Sequence, residues 1–230
     1  MELTQINPLG ILILEPVTSL TDFITAIVCF LSFMILYRQN VQGKVFNLMR
    51  SYFLLMGIGM TSAAFIGHAF QYLVTTDWKM IGWIFSAVAL MLLGFSSAEY
   101  ALPYIGKRRA RLIQGFLVIQ LIGFLIAMII PATRDFSTVK INSSIGLVGV
   151  VLPVHAWLWL QHKAGGSRII SLAVIWGIIP AIVYNTEFTL HRYFNYHDIS
   201  HVLMSIFILI MLRGALGLRP DVSLVSNTQH

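Results

Sequence analysis

Residues 112–131, with the sequence LIQGFLVIQLIGFLIAMIIP, contain no charged side chain. As an α-helix a run of this length rises about 30 Å, which matches the hydrocarbon thickness of a membrane. The preceding segment 106–111, GKRRAR, is strongly basic, as is typical of a cytoplasmic helix end. The run therefore predicts a transmembrane helix.

Apolar runs long enough to cross a membrane recur seven times, and short connectors hold nearly all the charge. The runs cover residues 22–37, 48–74, 78–98, 112–131, 141–161, 169–187 and 197–214. We therefore expect an all-α membrane protein with seven transmembrane helices, forming a single domain over residues 1–230. Residues 1–21 are expected to form an outer N-terminal segment, and residues 218–230 a loose cytoplasmic tail.

The composition excludes the common classes of soluble protein. Hydrophobic residues make up 57% of the chain, charged residues only 10%, and the mean hydropathy is +0.81. A soluble domain carries about 25% charged residues, so a cytosolic enzyme, a coiled coil and a disordered chain are all disfavoured. Cys29 is the only cysteine, which excludes a disulfide scaffold.

The basic residues predict the orientation. With the N-terminus outside and the C-terminus in the cytoplasm, 11 of the 15 Lys and Arg residues face the cytoplasm. These are Arg38, Lys44, Arg50, Lys107, Arg108, Arg109, Arg111, Lys163, Arg168, Arg213 and Arg219. A basic rim beside anionic lipid accounts for the net charge of +6, and no basic patch with interleaved aromatics indicates a nucleic-acid partner.

The acidic residues and histidines gather on the opposite face. Seven of the nine acids and four of the seven histidines fall on the outer side of this topology. Ionisable groups are costly in a membrane and mark functional sites there. We therefore expect the active site toward the non-cytoplasmic face.

Three of the outer histidines predict a metal site. His197 and His201 are four residues apart at the start of the last run, and therefore on one helix face. His68, near the outer end of the second run, lies at a similar depth. Three imidazoles with an open fourth position are typical of catalytic zinc. The alternatives are histidines bonded to headgroups or helix ends, and a His68 that bonds across helices.

Three short stretches carry a resemblance to a known family. The stretches are HDISHVLM (197–204), GIGMTSAAFIGHAF (57–70) and EPVTSLTDF (15–23). They resemble segments of the CREST superfamily of seven-helix membrane hydrolases, which includes alkaline ceramidases and progestin/adiponectin-type receptors. In the third stretch Glu15, Ser19, Thr21 and Asp22 follow the ceramidase spacing, whereas Thr18 and Asp22 replace two asparagines.

The resemblance implies roles for particular residues. His68, His197 and His201 would hold Zn²⁺, an aspartate would orient the zinc-bound water, and a serine would assist. Asp77 is the nearest candidate for the aspartate. Ala64 stands at the expected serine position, so Ser62 is the catalytic serine candidate and Thr61 the next hydroxyl. Glu15 and Asp22 would form a second cation site, for Ca²⁺; the alternative is that they lie at a solvated helix start.

The expected function is therefore a zinc-dependent intramembrane hydrolase acting on a membrane lipid amide or ester. A bound zinc ion lowers the pKa of its water to about 7. The alternative is a zinc-containing seven-helix receptor or binding protein without turnover. A retinal protein is disfavoured because all five lysines lie at helix ends or in loops. A haem protein and a transporter fit less well, because two of the histidines share one helix face and no internal repeat is evident.

Overall fold

A computed structural model describes residues 4–218 of the chain. Strands β1 (Gln5–Ile6) and β2 (Ile13–Leu14) pair antiparallel as a small N-terminal hairpin. Eight α-helices follow: α1 (Pro16–Arg38), α2 (Lys44–Ser62), α3 (Lys79–Ile129), α4 (Phe136–Gly146), α5 (Leu152–His162), α6 (Gly165–Trp176), α7 (Ile178–Asn185) and α8 (Tyr196–Leu216). Two π-helices continue the second and fourth of these, at Ala63–Ala69 and Leu147–Val151.

Six helical stretches among the described residues are long and apolar enough to cross a membrane. They are Pro16–Arg38, Lys44–Ala69, Lys79–Ile129, Phe136–His162, Gly165–Asn185 and Tyr196–Leu216. The expected all-α membrane architecture is confirmed at this level. The two-residue strands are a small departure from it.

The 51-residue element α3 is a hairpin rather than one straight rod. Its turn is at Gly106, whose φ of 79° is in the left-handed region that favours glycine. On either side the chain packs against itself: Gln114 donates to Glu99 at 2.8 Å, and Gly94 lies directly against Leu117. The pairs Glu99–Gln114 and Gly94–Leu117 are both centred on Gly106 in the sequence, so the two arms run antiparallel.

Helix α1 has the polarity of a membrane helix, with apolar residues outside and polar residues inside. Before its last turn, which carries Tyr37 and Arg38, its exposed large side chains are apolar: Leu20, Phe23, Ile24, Ile27, Leu31, Met34 and Ile35. Its buried side chains include Thr18, Thr21, Asp22, Thr25 and Ser32. A soluble helix places these two classes the other way round.

The buried face of α1 packs against both α2 and α8. The largest apolar core extends from these helices into α6, and its fully buried side chains include Tyr52, Phe53, Ile170 and Phe207. This packing brings together the C-terminal end of α2 and the N-terminal end of α8. Both ends lie beside the first turns of α1.

The helix formed by the second predicted run, 48–74, ends at Ala69, earlier than expected, and its last part is not α-helical. From Ala63 to Ala69 the helix widens into a π-helix, in which the amide of Phe70 donates to the carbonyl of Phe65 at 2.8 Å. The chain then forms a short 3₁₀ turn at Gln71–Leu73. Such π-helical turns often occur at functional sites, and this one carries His68.

The first helix begins six residues before the predicted run 22–37. Helix α1 begins at Pro16, a residue favoured in the first turn of a helix, so its first six residues belong to the bundle. Polar residues in this turn lower its hydropathy, but Thr18, Thr21 and Asp22 are buried. At the other end Leu218 is buried, and the rest of the predicted tail lies outside the described residues.

Candidate metal centre

Three histidines from two distant segments lie together at one end of the bundle. His68 is on the π-helix after α2, and His197 and His201 are in the first turns of α8. The His68 ring centroid lies 5.9 Å from that of His197 and 6.2 Å from that of His201. The structure thus brings together the three imidazoles that the sequence selected.

A capping box fixes the start of α8. Asn195, the N-cap, accepts a hydrogen bond from the amide of His197 at 2.8 Å. In return, Asp198 accepts one from the amide of Asn195 at 2.7 Å. Because these bonds satisfy otherwise unpaired helix-end donors, they hold the first turn in place. His197 and His201 therefore project from a rigid helix start.

Glu15 orients the imidazole of His68. Its Oε2 lies 3.0 Å from Nδ1 of His68 and also accepts a 2.6 Å hydrogen bond from Gln71, whose own carbonyl oxygen accepts one from Lys79. A carboxylate accepts rather than donates, so we assign the proton of His68 to Nδ1. The Nε2 atom then presents a lone pair, as a metal ligand requires.

Glu15 lies just before the first membrane-spanning helix and is ionised in this setting. Burial by itself would raise the pKa of Glu15. Contacts with His68 and Gln71 outweigh burial and lower that pKa below its usual value. The carboxylate that holds His68 is therefore charged at neutral pH.

Thr21 orients His201 in the same way. The hydroxyl of Thr21 donates to the carbonyl of Thr18 at 3.0 Å and also lies 3.2 Å from Nδ1 of His201. A hydroxyl has one proton to donate, so we assign Nδ1 of His201 as the donor in the second contact. Its Nε2 atom is thereby left as an acceptor, like that of His68.

Both acceptor nitrogens face the carboxylate of Asp22. Its oxygens lie 3.5 Å from Nε2 of His68 and 3.2 Å from Nε2 of His201. The side chain is 1% exposed, and within residues 4–218 neither oxygen receives a hydrogen bond. Three electron-rich groups therefore meet in a buried space without a donor between them. A cation at this point would satisfy all three.

The donor set suits a metal, although the rings are spaced somewhat widely. Imidazole and carboxylate ligands fit zinc or iron. Two imidazoles on one tetrahedral zinc ion have ring centroids about 5 Å apart, so the rings here would close by about 1 Å on binding. Within the described chain no group of three His, Cys, Asp or Glu side chains already stands close enough to hold an ion.

The two predicted catalytic partners have other contacts. Asp77 is an exposed residue that pairs with Arg134. Ser62 points toward α3, where its hydroxyl would lie 3.4 Å from a Cβ added to Gly82, and has no hydrogen-bond partner among the described residues. Thr61 donates to the carbonyl of Gly57 within its own helix. None of these side chains contacts the histidines among the described interactions.

The proposed calcium pair is also placed differently. Glu15 and Asp22 contact opposite ring nitrogens of the same imidazole, His68. Both carboxylates therefore lie within the histidine cluster.

Sequence reasoning missed Thr21 and Gln71 as residues that orient the site. A signal for Thr21 is present in the chain: Thr18, Thr21, Asp22 and Thr25 have helical spacing and share one face of α1. A polar face on a membrane helix indicates contact with the bundle interior. Gln71 follows the π-helix, and no comparable pattern marks it.

One family model matches residues 17–220, and its description is a family of unknown function. No curated protein and no solved structure matches the chain.

Proposed function

This chain belongs to DUF6962, a family of unknown function, and we propose that it is a metal-dependent hydrolase of a membrane lipid amide or ester. The observation that carries the proposal is the meeting of His68 and His201 around Asp22. Two imidazoles with their Nδ1 atoms already bonded present Nε2 to the same buried carboxylate. Such outer bonds are what fixes metal-ligating histidines in metalloenzymes.

We place the site at the non-cytoplasmic face of a seven-crossing bundle with the N-terminus outside. The hairpin at Gly106 supports this count, because the arms of α3 contain the charge-free segments 80–98 and 112–129, and each is long enough to cross a membrane. The turn itself is followed by the basic residues 107–111. A basic turn favours the cytoplasmic side of a membrane. The histidine cluster lies at the other end of the bundle from this turn.

His68, His197 and His201 would hold the metal, for which zinc is favoured by the imidazole donors. When bound, zinc polarises a carbonyl oxygen and activates water at neutral pH. Glu15 and Thr21 keep the protons of His68 and His201 on Nδ1. The resting arrangement therefore needs no proton rearrangement before the ion binds.

The surroundings of the site suit an acyl chain. Leu20 and Phe23 flank Asp22 on α1, and Phe65 precedes His68 on the π-helix; all three are exposed. The ring centroids of Phe23 and Phe65 lie 5.7 Å apart, so the two rings are in contact. This apolar wall faces the lipid side of α1, so a lipid could approach laterally with its polar linkage next to the histidines.

Tyrosines flank the site toward the membrane interface. The ring of His197 lies 4.2 Å from that of Tyr196 and 5.2 Å from that of Tyr184. Tyrosine is enriched at headgroup depth, where its ring is apolar and its hydroxyl is hydrated. The depth fits a substrate whose amide or ester lies near the headgroups.

A receptor or binding protein without turnover is the second candidate. The positions of Asp77 and Ser62 favour it, because neither contacts the histidines among the described interactions. Ala64 also replaces the hydroxyl expected one turn before His68. In this case the metal would organise a lipid-binding site and no bond would be cleaved.

The test uses the full chain purified in detergent. Metal content is measured for the wild type, His68→Ala, His201→Ala and His191→Ala, and each protein is incubated with a panel of lipid amides and esters. His191 is a matched control, since it is an exposed loop histidine outside the cluster. We expect one metal ion per chain and product from the wild type and His191→Ala, and loss of both in the other two variants.

The possible outcomes separate the two candidates. Stoichiometric metal without product from any lipid favours the binding protein. A wild type that takes up no zinc, iron, copper or nickel overturns both candidates.

A further inference from the structure

We propose that Asp22 of α1 is itself a ligand of the metal, so that the site combines imidazoles from the π-helix and α8 with a carboxylate from the first helix. The inference rests on the proposed function, because it concerns the same metal centre. In this inference Asp22 binds the same metal ion as the histidines. It was expected to bind a second cation, and the carboxylate expected beside the metal was Asp77, which would orient water.

The neighbours of Asp22 leave its carboxylate without a donor. Two hydroxyls close to it in the sequence of α1 are committed to backbone carbonyls: Thr21 donates to Thr18 and Thr25 donates to Thr21. Neither carboxylate oxygen has a hydrogen-bond partner among residues 4–218. A buried carboxylate is normally paired or bound to a metal, because burial removes its hydration.

The two imidazoles cannot serve as the missing donors while their protons stay on Nδ1. Glu15 and Thr21 hold the protons of His68 and His201 there. A single proton on Asp22 could bond one Nε2 atom but not both. A metal ion accepts lone pairs from all three groups at once and also offsets the carboxylate charge.

The distances from Asp22 agree with shared ligation, although the imidazole rings would still have to close by about 1 Å. Two ligand atoms on one tetrahedral ion, each bonded at about 2.0 to 2.1 Å, lie about 3.3 Å apart. The Asp22 oxygens lie 3.2 Å from Nε2 of His201 and 3.5 Å from Nε2 of His68. These separations suit ligands that face one another across an ion.

A carboxylate ligand would change the chemistry of the site. With neutral imidazoles alone a divalent ion keeps its full charge, whereas Asp22 reduces the net charge of the centre by one. The lower charge favours retention of the ion inside an apolar bundle. It also places the site with the mixed His and carboxylate centres, in which a water or substrate would enter as an additional ligand.

The experiment compares Asp22→Asn with Asp77→Asn and the wild type. Zn²⁺ affinity is measured by competition with a chelator, and the visible absorption of the Co²⁺-loaded protein reports on the ligand set. We expect Asp22→Asn to lose at least about 10-fold in Zn²⁺ affinity and to change the Co²⁺ spectrum. Asp77→Asn should match the wild type in both, because Asp77 is exposed and paired with Arg134.

Thermal unfolding of the metal-free proteins separates a ligand from a structural residue. An asparagine amide can donate to one Nε2 atom, so metal-free Asp22→Asn should be at least as stable as the metal-free wild type, and less stabilised by Zn²⁺. A wild type without metal would overturn the proposed function and this inference together. Wild-type affinity and spectrum in Asp22→Asn, or a loss of metal-free stability, would overturn the ligand role alone.

Discussion

The hydroxyl of Ser19 on α1 donates a 2.8 Å hydrogen bond to the carbonyl oxygen of Ala64, inside the π-helix that carries His68. The bond joins residues 45 positions apart. A π-helix has a poorer internal hydrogen-bond pattern than an α-helix and needs support from its surroundings. Ser19 supplies such support one turn before His68.

Replacing Ser19 with alanine should therefore loosen the position of His68. We expect Ser19→Ala to lower the free energy of unfolding by about 1 kcal/mol and to weaken metal binding, with the ligand residues themselves unchanged. Thermal unfolding and chelator competition measure the two effects. Ser32→Ala is the matched control, because Ser32 is buried on the same helix but donates only within it, to Val28. Equal metal affinity in both variants would contradict a positioning role for Ser19.

Glu15→Gln should weaken metal binding through the orientation of His68. Oε2 of Glu15 receives the contacts from both His68 and Gln71, and an uncharged amide oxygen is a weaker acceptor for both. The charge that favours Nδ1–H is also removed. We expect a 10- to 100-fold loss of metal affinity, by analogy with other carboxylates that orient metal-bound histidines.

Glu99→Gln is the control for the loss of a carboxylate. Glu99 pairs with Lys44 and Gln114, away from the histidine cluster, and its replacement should leave metal affinity at the wild-type value. If Glu15→Gln behaves like this control, the assigned Nδ1 proton of His68 is wrong.

The sequence alone predicted the apolar helices and selected the three histidines. It did not predict the exact residues at which the helices begin and end. A long apolar run predicts a membrane helix. The i, i+4 spacing of two histidines predicts that they share one helix face. The first turn of α1 was missed because its buried threonines and Asp22 lower the hydropathy of residues 16–22. Hydropathy measures the preference for lipid, and these side chains face the bundle interior instead.

The partners of the histidines required the tertiary structure. Asp77 is close to His68 in sequence, which favoured it over Asp22, yet Asp22 is the carboxylate that faces the two imidazoles. Contact here depends on the packing of α1 against α8 and the π-helix. No local pattern encodes which of several helices supplies the carboxylate.

The seven-crossing topology can be tested by cysteine labelling. Ile11, Arg108 and Arg192 are exposed, and the only native cysteine, Cys29, is fully buried and should give little background. With a membrane-impermeant maleimide on intact cells, Ile11→Cys and Arg192→Cys should react. Arg108→Cys, in the turn of the α3 hairpin, should react only after permeabilisation. Labelling of Ile11→Cys and Arg108→Cys from the same side would refute the proposed topology.

Two adjacent glycines at the start of α6 should respond in opposite ways to alanine. A Cβ on Gly166 would lie 2.5 Å from the backbone carbon of Gly217, just after α8, whereas a Cβ on Gly165 would meet nothing within 4 Å. Gly166→Ala should therefore separate α6 from α8 and cost about 1 to 3 kcal/mol of stability. Gly165→Ala should be neutral or gain up to about 1 kcal/mol, since alanine restricts the unfolded chain. Thermal unfolding in detergent measures both, and equal melting temperatures would show that α6 and α8 do not pack as closely as described.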